Sequence, residues 1–192
     1  MRDLSQTFAA IDLANASDPN ELAGEPLAQM QGVAASRWLA ALKPDAVPAL
    51  QLAVRAHHLK RWELKRVDFP KGRQGYLRWR RENKAHQADS LASIMQTDGW
   101  SDAEIEHART LLGRTQLRSD ADTQALEDAA CLVFLETQFD DMVDRTEHDP
   151  MVSIVAKTLK KMSPEAISLA GSIDLSSTSQ SVLNEAVASL QS

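Results

Sequence analysis

Residues 45–59 have the sequence DAVPALQLAVRAHHL, which predicts a helix with apolar side chains on nearly every side. After Asp45, only Gln51 and Arg55 are polar before the two histidines near its end. A helix that is apolar all round belongs in a protein core. Residues 126–135, LEDAACLVFL, supply a second apolar belt within a helix predicted over about residues 121–144. Two buried helices of this kind indicate an all-α fold.

The composition excludes several other classes of protein. Of the 192 residues, 43% are apolar and 25% are charged, as in ordinary globular proteins. Seven glycines and one tyrosine are too few for a β-sandwich or barrel, and no strand pattern is found. Cys131 is the only cysteine, which excludes an internal disulfide and a zinc site of paired thiolates. Because no membrane-spanning run or signal-peptide pattern is found, we expect a cytoplasmic protein with no membrane contact.

Helical periodicity and capping residues predict further helices over about residues 5–16, 26–42, 76–97 and 102–114. The last of these follows Ser101-Asp102-Ala103-Glu104, which has the spacing of a capping box. The intervening residues 62–75 contain two glycines and a proline and are predicted to form a long loop. We expect residues 1–170 to form a single helical domain, followed by a Ser-rich tail at 171–192 with a weak helix.

Charge is distributed unevenly along the chain. Residues 60–84 contain ten basic and three acidic side chains, a net charge of +7, whereas the formal charge of the whole chain is -6. Arginines beside aromatic rings suit phosphate binding and stacking on a nucleobase. The predicted substrate-binding residues are Arg61, Trp62, Arg73, Arg78, Trp79, Arg80 and Arg81. The alternative is a solvated basic face that pairs with acidic residues elsewhere.

Two histidines end the first core helix. At this end the helix dipole favours a cation or a metal ion. Adjacent helical residues point about 100° apart, so His57 and His58 reach one metal only if the helix ends or bends there. The alternative is an ordinary role in packing and hydrogen bonding.

Carboxylates flank the second apolar belt at Glu127, Asp128 and Glu136. A buried carboxylate requires pairing, protonation or a cation. Histidine, arginine or a metal could each be the partner, and a salt bridge from Asp128 to Arg55 or Arg114 is the purely structural alternative.

The order of these segments resembles the HD-domain superfamily of metal-dependent phosphohydrolases. Residues 29–34 (QMQGVA), 53–59 (AVRAHHL), 84–95 (KAHQADSLASIM) and 126–130 (LEDAA) are similar to the segments that carry its metal ligands. The resemblance implies an HD-like multi-helix bundle. More specifically, residues 56–62, 72–80 and 126–136 resemble an uncharacterised family known as domain of unknown function 4202, which supplies no established activity.

The superfamily resemblance implies a metal site made of His57, His58, His86 and Asp128. Gln29 stands where the superfamily has its first histidine, and His58 stands where it has an aspartate. A nitrogen-rich set suits one divalent transition metal, such as zinc, iron, nickel or manganese, better than magnesium or calcium. The alternative is that these replacements have abolished metal binding.

Together these features predict a metal-dependent hydrolase of an anionic, phosphate-bearing small molecule or nucleotide. Asp128 or Glu127 would act as a metal ligand or general base, while the arginines stabilise the phosphate. Two alternatives remain at this point. The basic segment 60–84 could bind RNA or a nucleotide without catalysis, or the protein could be an iron-dependent oxygenase of the HD type. The sequence does not indicate an oligomeric state.

Overall fold

The computed structural model describes residues 3–114, 117 and 119–190. It confirms the all-α fold class. The chain divides into two compact units, Met1–Leu126 and Glu127–Ser192. This division falls within a helix, and the single domain expected over residues 1–170 stays a prediction.

Among its described residues, the first unit is mainly helical and contains one short hairpin. Its elements are α1 (Ser5–Asn15), β1 (Glu21–Leu22), β2 (Glu25–Pro26), α2 (Leu27–Leu42), α3 (Pro48–Arg55), α4 (Gly72–Thr97) and α5 (Asp102–Gly113). Helix α3 packs against α2, α4 and α5, and α4 packs along α5. Because Leu50, Leu52 and Ala53 of α3 are fully buried, the core position predicted for this helix is confirmed.

The hairpin was not predicted from the sequence. Strands β1 and β2 pair antiparallel, with Glu21 opposite Pro26. Ala23 and Gly24 between them both have positive φ, at 54° and 84°. Positive φ at both central residues is the geometry of the tight turns that connect antiparallel strands. Two-residue strands are too short to show the alternating pattern by which a strand is recognised.

The segment between α3 and α4 differs in its boundaries from the expectation. Helix α3 ends at Arg55, earlier than predicted, and short 3₁₀ turns form at Arg61–Glu63 and Arg66–Asp68. Helix α4 begins at Gly72 rather than near residue 76. Gly75 lies so close to the preceding loop that a Cβ atom there would be 1.8 Å from the carbonyl oxygen of Pro70. Gly75, one of the two glycines that suggested a loop, thus permits close packing of the helix start instead.

The predicted start of α5 is confirmed. The hydroxyl of Ser101 accepts from the Glu104 backbone N–H, and the Glu104 carboxylate accepts from the Ser101 backbone N–H. This reciprocal capping satisfies two amides that the helix leaves unpaired.

The second unit contains the remaining helices. Helix α6 (Ala121–Thr137) crosses the boundary between the units, and it is followed by α7 (Phe139–Arg145), α8 (His148–Leu159), α9 (Pro164–Ala170) and α10 (Ser177–Ala188). The single helix predicted up to residue 144 is interrupted at Gln138, whose φ of −135° is not helical. Helix α10, in the Ser-rich tail, packs against α7 and α8 and buries Val182 and Leu183.

Candidate functional site

The turn that follows α3 supplies the first wall of a polar cavity in the first unit. The chain leaves helical geometry after Arg55, and Lys60 adopts a left-handed conformation with φ 53°. The backbone N–H of Lys60 donates to Oδ1 of Asn15 at 3.1 Å, which fixes the turn against α1. His57, His58 and Arg61 line the cavity from this turn. The helix therefore ends before the two histidines. This is the condition under which both rings could reach one metal ion.

The two imidazole rings stack with their centroids 4.1 Å apart. Nδ1 of His57 lies 3.0 Å from the carbonyl oxygen of Val54, and Nδ1 of His58 lies 2.5 Å from Oε1 of Gln31. Because both partner atoms are acceptors, each Nδ1 is assigned the hydrogen. In a neutral ring, Nε2 then carries a lone pair.

The electrostatic surroundings keep His58 neutral. Burial lowers the pKa of His58 well below its ordinary value of 6.5, and the nearby His57, Arg61 and Arg114 lower it further. Near neutral pH, the half-buried His58 ring is therefore a hydrogen-bond acceptor at Nε2.

Helix α4 supplies the opposite wall. Trp79, Asn83 and Gln87 follow one another at intervals of four residues, and Arg80 and Lys84 lie beside them on the same face. The Trp79 indole N–H donates to the carbonyl oxygen of Leu64 at 2.8 Å. This contact fixes the helix against the loop that precedes it.

Arg114, at the C-terminal end of α5, completes the lining. We call this space, with the nine lining residues named above, the cationic cavity. Its volume is about 40 Å³. Arg61, Arg80, Lys84 and Arg114 are its charged side chains, and no described lining residue is acidic.

Mutual repulsion is evident at Arg61. Part of its side chain is exposed, but protein packed around the guanidinium lowers its pKa, and Arg80 and Arg114 lower it further. The Arg61 guanidinium lies 5.0 Å from the centre of the Trp79 ring, and that of Arg80 lies 5.8 Å from the Tyr76 ring. The aromatic rings thus hold the guanidinium groups close together without neutralising them.

The predicted substrate-binding residues fall into two groups. Arg61, Trp79 and Arg80 line the cationic cavity. The others, Trp62, Arg73, Arg78 and Arg81, are not among its lining residues. Arg78 instead pairs with Glu82 one helical turn away at 2.7 Å.

Sequence reasoning did not assign Asn83, Lys84, Gln87 or Arg114 to the site. The first three share a face of α4 with Trp79 and Arg80. Continuing the four-residue spacing from Trp79 and from Arg80 would have found them. Arg114 had been considered only as a structural partner of Asp128.

The predicted metal ligands have different local surroundings. His57 and His58 are adjacent, but His86 lies outside the cavity lining, with its Nε2 2.9 Å from the carboxylate of Glu63. Asp128 is in the second unit, where its carboxylate accepts from the Ser163 backbone N–H at 2.9 Å. No three His, Cys, Asp or Glu side chains within 3–114, 117 and 119–190 are arranged to hold a metal ion.

The other predicted catalytic carboxylate also has a local contact. Glu127 is buried, and its carboxylate lies 3.7 Å from Nζ of Lys161. The sequence offered Arg55 as a possible salt-bridge partner of Asp128. In the structure, Arg55 forms an ion pair with Asp12.

The donor set of the first unit fits a divalent metal only in part. A ring Nδ1 that donates to an oxygen is typical of histidines that ligate metal through Nε2. Arg61 and Arg114, however, place positive charge beside the same ring. The two imidazoles therefore do not form a metal site by themselves, and the predicted four-ligand site stays a prediction.

Comparison with known families identifies the chain. The model of the family described as domain of unknown function 4202 matches residues 5–183, and the chain belongs to this family. No curated protein and no solved structure matches the chain. Within the described residues, none of the helices has the length and apolar character needed to cross a membrane.

Proposed function

We propose that this protein binds a phosphate-bearing small molecule and holds its phosphoryl group in the cationic cavity. The observation that carries the proposal is the lining itself, with four cationic side chains and no acidic one among its described residues. Guanidinium groups present parallel N–H donors that match phosphate oxygens. An anion beside Arg61 would offset the burial, and the repulsion from Arg80 and Arg114, that lower the pKa of its guanidinium.

The size of the cavity favours a small ligand. A cavity of about 40 Å³ is compact, which favours a single small anionic group as its occupant. Trp79 and Tyr76 are already occupied by the guanidinium groups of Arg61 and Arg80, so stacking on a series of bases is less favoured. A nucleotide, with its phosphate in the cavity, remains compatible with this arrangement.

Calorimetric titration tests the proposal. The wild-type protein should bind inorganic phosphate and a nucleoside monophosphate, and Arg61→Met combined with Arg80→Met should abolish both interactions. A single-stranded RNA oligonucleotide, titrated at low and high salt, tests the alternative, because RNA binding weakens steeply as salt rises. Binding of RNA without any binding of phosphate would contradict the proposal.

Hydrolysis of the bound phosphate ester is the second candidate, with the metal-dependent phosphohydrolase predicted from the sequence as its specific form. The observation that favours it is the assigned state of His57 and His58, in which each ring donates through Nδ1 and leaves Nε2 as an acceptor. Such a nitrogen can ligate a metal or accept a proton from water. A bound metal would supply an acidified water and polarise the phosphoryl group.

Two measurements test the second candidate. Elemental analysis of the purified protein should find zinc, iron, nickel or manganese, and His57→Ala should reduce its content. Release of phosphate from a panel of nucleotides should require both His57 and His58. Phosphate binding without either metal or turnover would leave a binding protein, whereas iron without phosphate release would favour the oxygenase alternative.

A further inference from the structure

Two carboxamides occupy the wall that α4 presents to the cationic cavity. Asn83 and Gln87 lie one helical turn apart, and only 2% and 3% of their respective surfaces are exposed. Buried polar side chains are normally hydrogen-bonded, because burial of an unpaired polar atom is costly. Any donor or acceptor that these two side chains leave unused therefore indicates which chemical groups a ligand in the cavity would carry.

Each carboxamide has a buried atom whose hydrogen-bonding capacity is unused by the described residues. Nδ2 of Asn83 donates to the carbonyl oxygen of Trp79 at 3.1 Å, which orients the amide and leaves Oδ1 as the acceptor. No described residue donates to that Oδ1, and none accepts from Nε2 of Gln87. The two side chains that line this wall thus have one acceptor atom and one donor atom that are unused and almost fully enclosed, next to a set of cationic donors.

An ordinary anion satisfies only part of this set. Ionised oxygen atoms accept hydrogen bonds, so they match Gln87 and the cationic side chains. Asn83 Oδ1 can only accept, and a fully ionised oxygen placed against it would be repelled. A ligand that matches the whole wall must therefore carry an O–H group beside its anionic oxygens.

We propose that the cationic cavity selects a phosphoryl group that carries its own proton. Its P–OH donates to Oδ1 of Asn83, and one of its unprotonated oxygens accepts from Nε2 of Gln87. This inference rests on the proposed phosphate-binding function and specifies its ligand. Hydrogen phosphate and a singly protonated phosphomonoester have the required group, whereas sulfate and a phosphodiester do not.

The first experiment compares inorganic phosphate with sulfate on the wild-type protein, by calorimetry near neutral pH and at matched ionic strength. The two anions are similar in size, but only phosphate carries a proton. Phosphate should bind about tenfold more tightly, or more, because sulfate leaves the Asn83 acceptor unpaired. Equal affinities would overturn this inference and leave the proposed function intact, whereas no binding of either anion would overturn the proposed function.

Two matched variants assign the selectivity to its residue. Asn83→Leu should remove the preference for phosphate, because the phosphate P–OH loses its acceptor while sulfate is freed from the repelling Oδ1 and binds as tightly as before or more tightly. Gln87→Leu should weaken both anions by the same factor, because Gln87 donates to an unprotonated oxygen that both anions possess. A uniform loss in Asn83→Leu would contradict the assignment. Thermal unfolding is measured first, and if either variant does not fold, the wild-type comparison decides.

A third experiment distinguishes the two sources of the P–OH group. Adenosine 5′-monophosphate is titrated below and above its second phosphate pKa of about 6, with sulfate at the same two pH values as the control. Relative to sulfate, a monoester bound through P–OH should bind more tightly below that pKa. If the monoester binds more weakly than inorganic phosphate at both pH values, the cavity is assigned to inorganic phosphate. If, relative to sulfate, the monoester binds more tightly above its pKa than below it, P–OH recognition is contradicted.

Discussion

Arg55 and Arg61 lie on either side of the same turn, yet Arg55 has an acidic partner and Arg61 has cationic neighbours. The guanidinium of Arg55 donates to both carboxylate oxygens of Asp12, at 2.7 Å and 2.5 Å, and also contacts Ser36. Arg61 forms no ion pair with any described residue, and Arg80 and Arg114 are its charged neighbours. One arginine is neutralised within the fold, while the other is available to an anion from solution. The comparison separates a cation neutralised within the fold from one that the proposed phosphate ligand would neutralise.

The largest expected effect concerns the structural arginine. Asp12→Asn removes the counter-charge of Arg55, whose side chain is only 13% exposed. Breaking such a pair by removing one partner should lower the free energy of unfolding by about 3 kcal/mol. Urea denaturation measures the loss, and phosphate affinity of the folded fraction should not change. A loss below about 0.5 kcal/mol, the range of surface substitutions, would show that the pair behaves as a surface ion pair.

The binding arginine should show the reverse pattern. Arg61→Met should lower the affinity for inorganic phosphate by about tenfold to a hundredfold, because a charge-assisted hydrogen bond to the anion is lost. Stability should stay the same or rise slightly, since the substitution removes repulsion from Arg80 and Arg114. Calorimetry and urea denaturation of the same preparation measure both quantities. A clear loss of stability with unchanged affinity would reverse the distinction between the two arginines.

A smaller effect is expected for the pH dependence of stability. Because the pKa of His58 in the folded protein is held well below 6.5, the unfolded chain takes up a proton first as the pH falls. The contribution of His58 is therefore fully present above about pH 6.5 and is lost on acidification, by at most about 1.4 kcal/mol per pH unit.

His58→Asn, which does not titrate in this range, is the matched comparison for that effect. Unfolding free energies at about pH 7.5 and about pH 5.5 should differ more in the wild type than in the variant. The same difference in both proteins would show that His58 is not held neutral by its surroundings.

The smallest effect is expected at Arg78, which the sequence also predicted to bind substrate. Arg78 pairs with Glu82 on the surface of α4, and exposed pairs of this spacing contribute little to stability. Arg78→Gln should change phosphate affinity by less than about twofold, because screening by solvent weakens its interaction with the cavity. A loss comparable to that in Arg61→Met would extend the binding surface to the outside of α4.

The sequence predicted well those features that depend on local pattern. The apolar helix α3 and the capping box at Ser101 follow from side-chain spacing and local hydrogen bonding, and both are confirmed. The positive character of residues 60–84 also led to three of the cavity residues, Arg61, Trp79 and Arg80. Charge and helical period are properties of neighbouring residues, so they can be found without a structure.

Other features depend on tertiary contacts that no local pattern encodes. The partner of His86 is Glu63, which lies in a separate 3₁₀ turn. Arg114 reaches the cavity from the end of α5, and its position follows from the packing of α5 against α3 and α4. Asn83 and Gln87 are polar residues on a buried helix face, and sequence alone does not show whether such residues meet a neighbour or a ligand. The predicted hydrolase activity depends on contacts of this second kind.

The contact between Gly75 and the carbonyl of Pro70 constrains how this protein can vary. Because any larger residue at position 75 would collide with the backbone, the loop and the first turn of α4 must be exchanged together rather than one residue at a time. A library in which residues 64–75 are replaced as a block should therefore yield folded proteins more often than one that randomises position 75 alone. Leu64 in that segment accepts the indole N–H of Trp79, so such a replacement would also alter the support of one wall of the cavity.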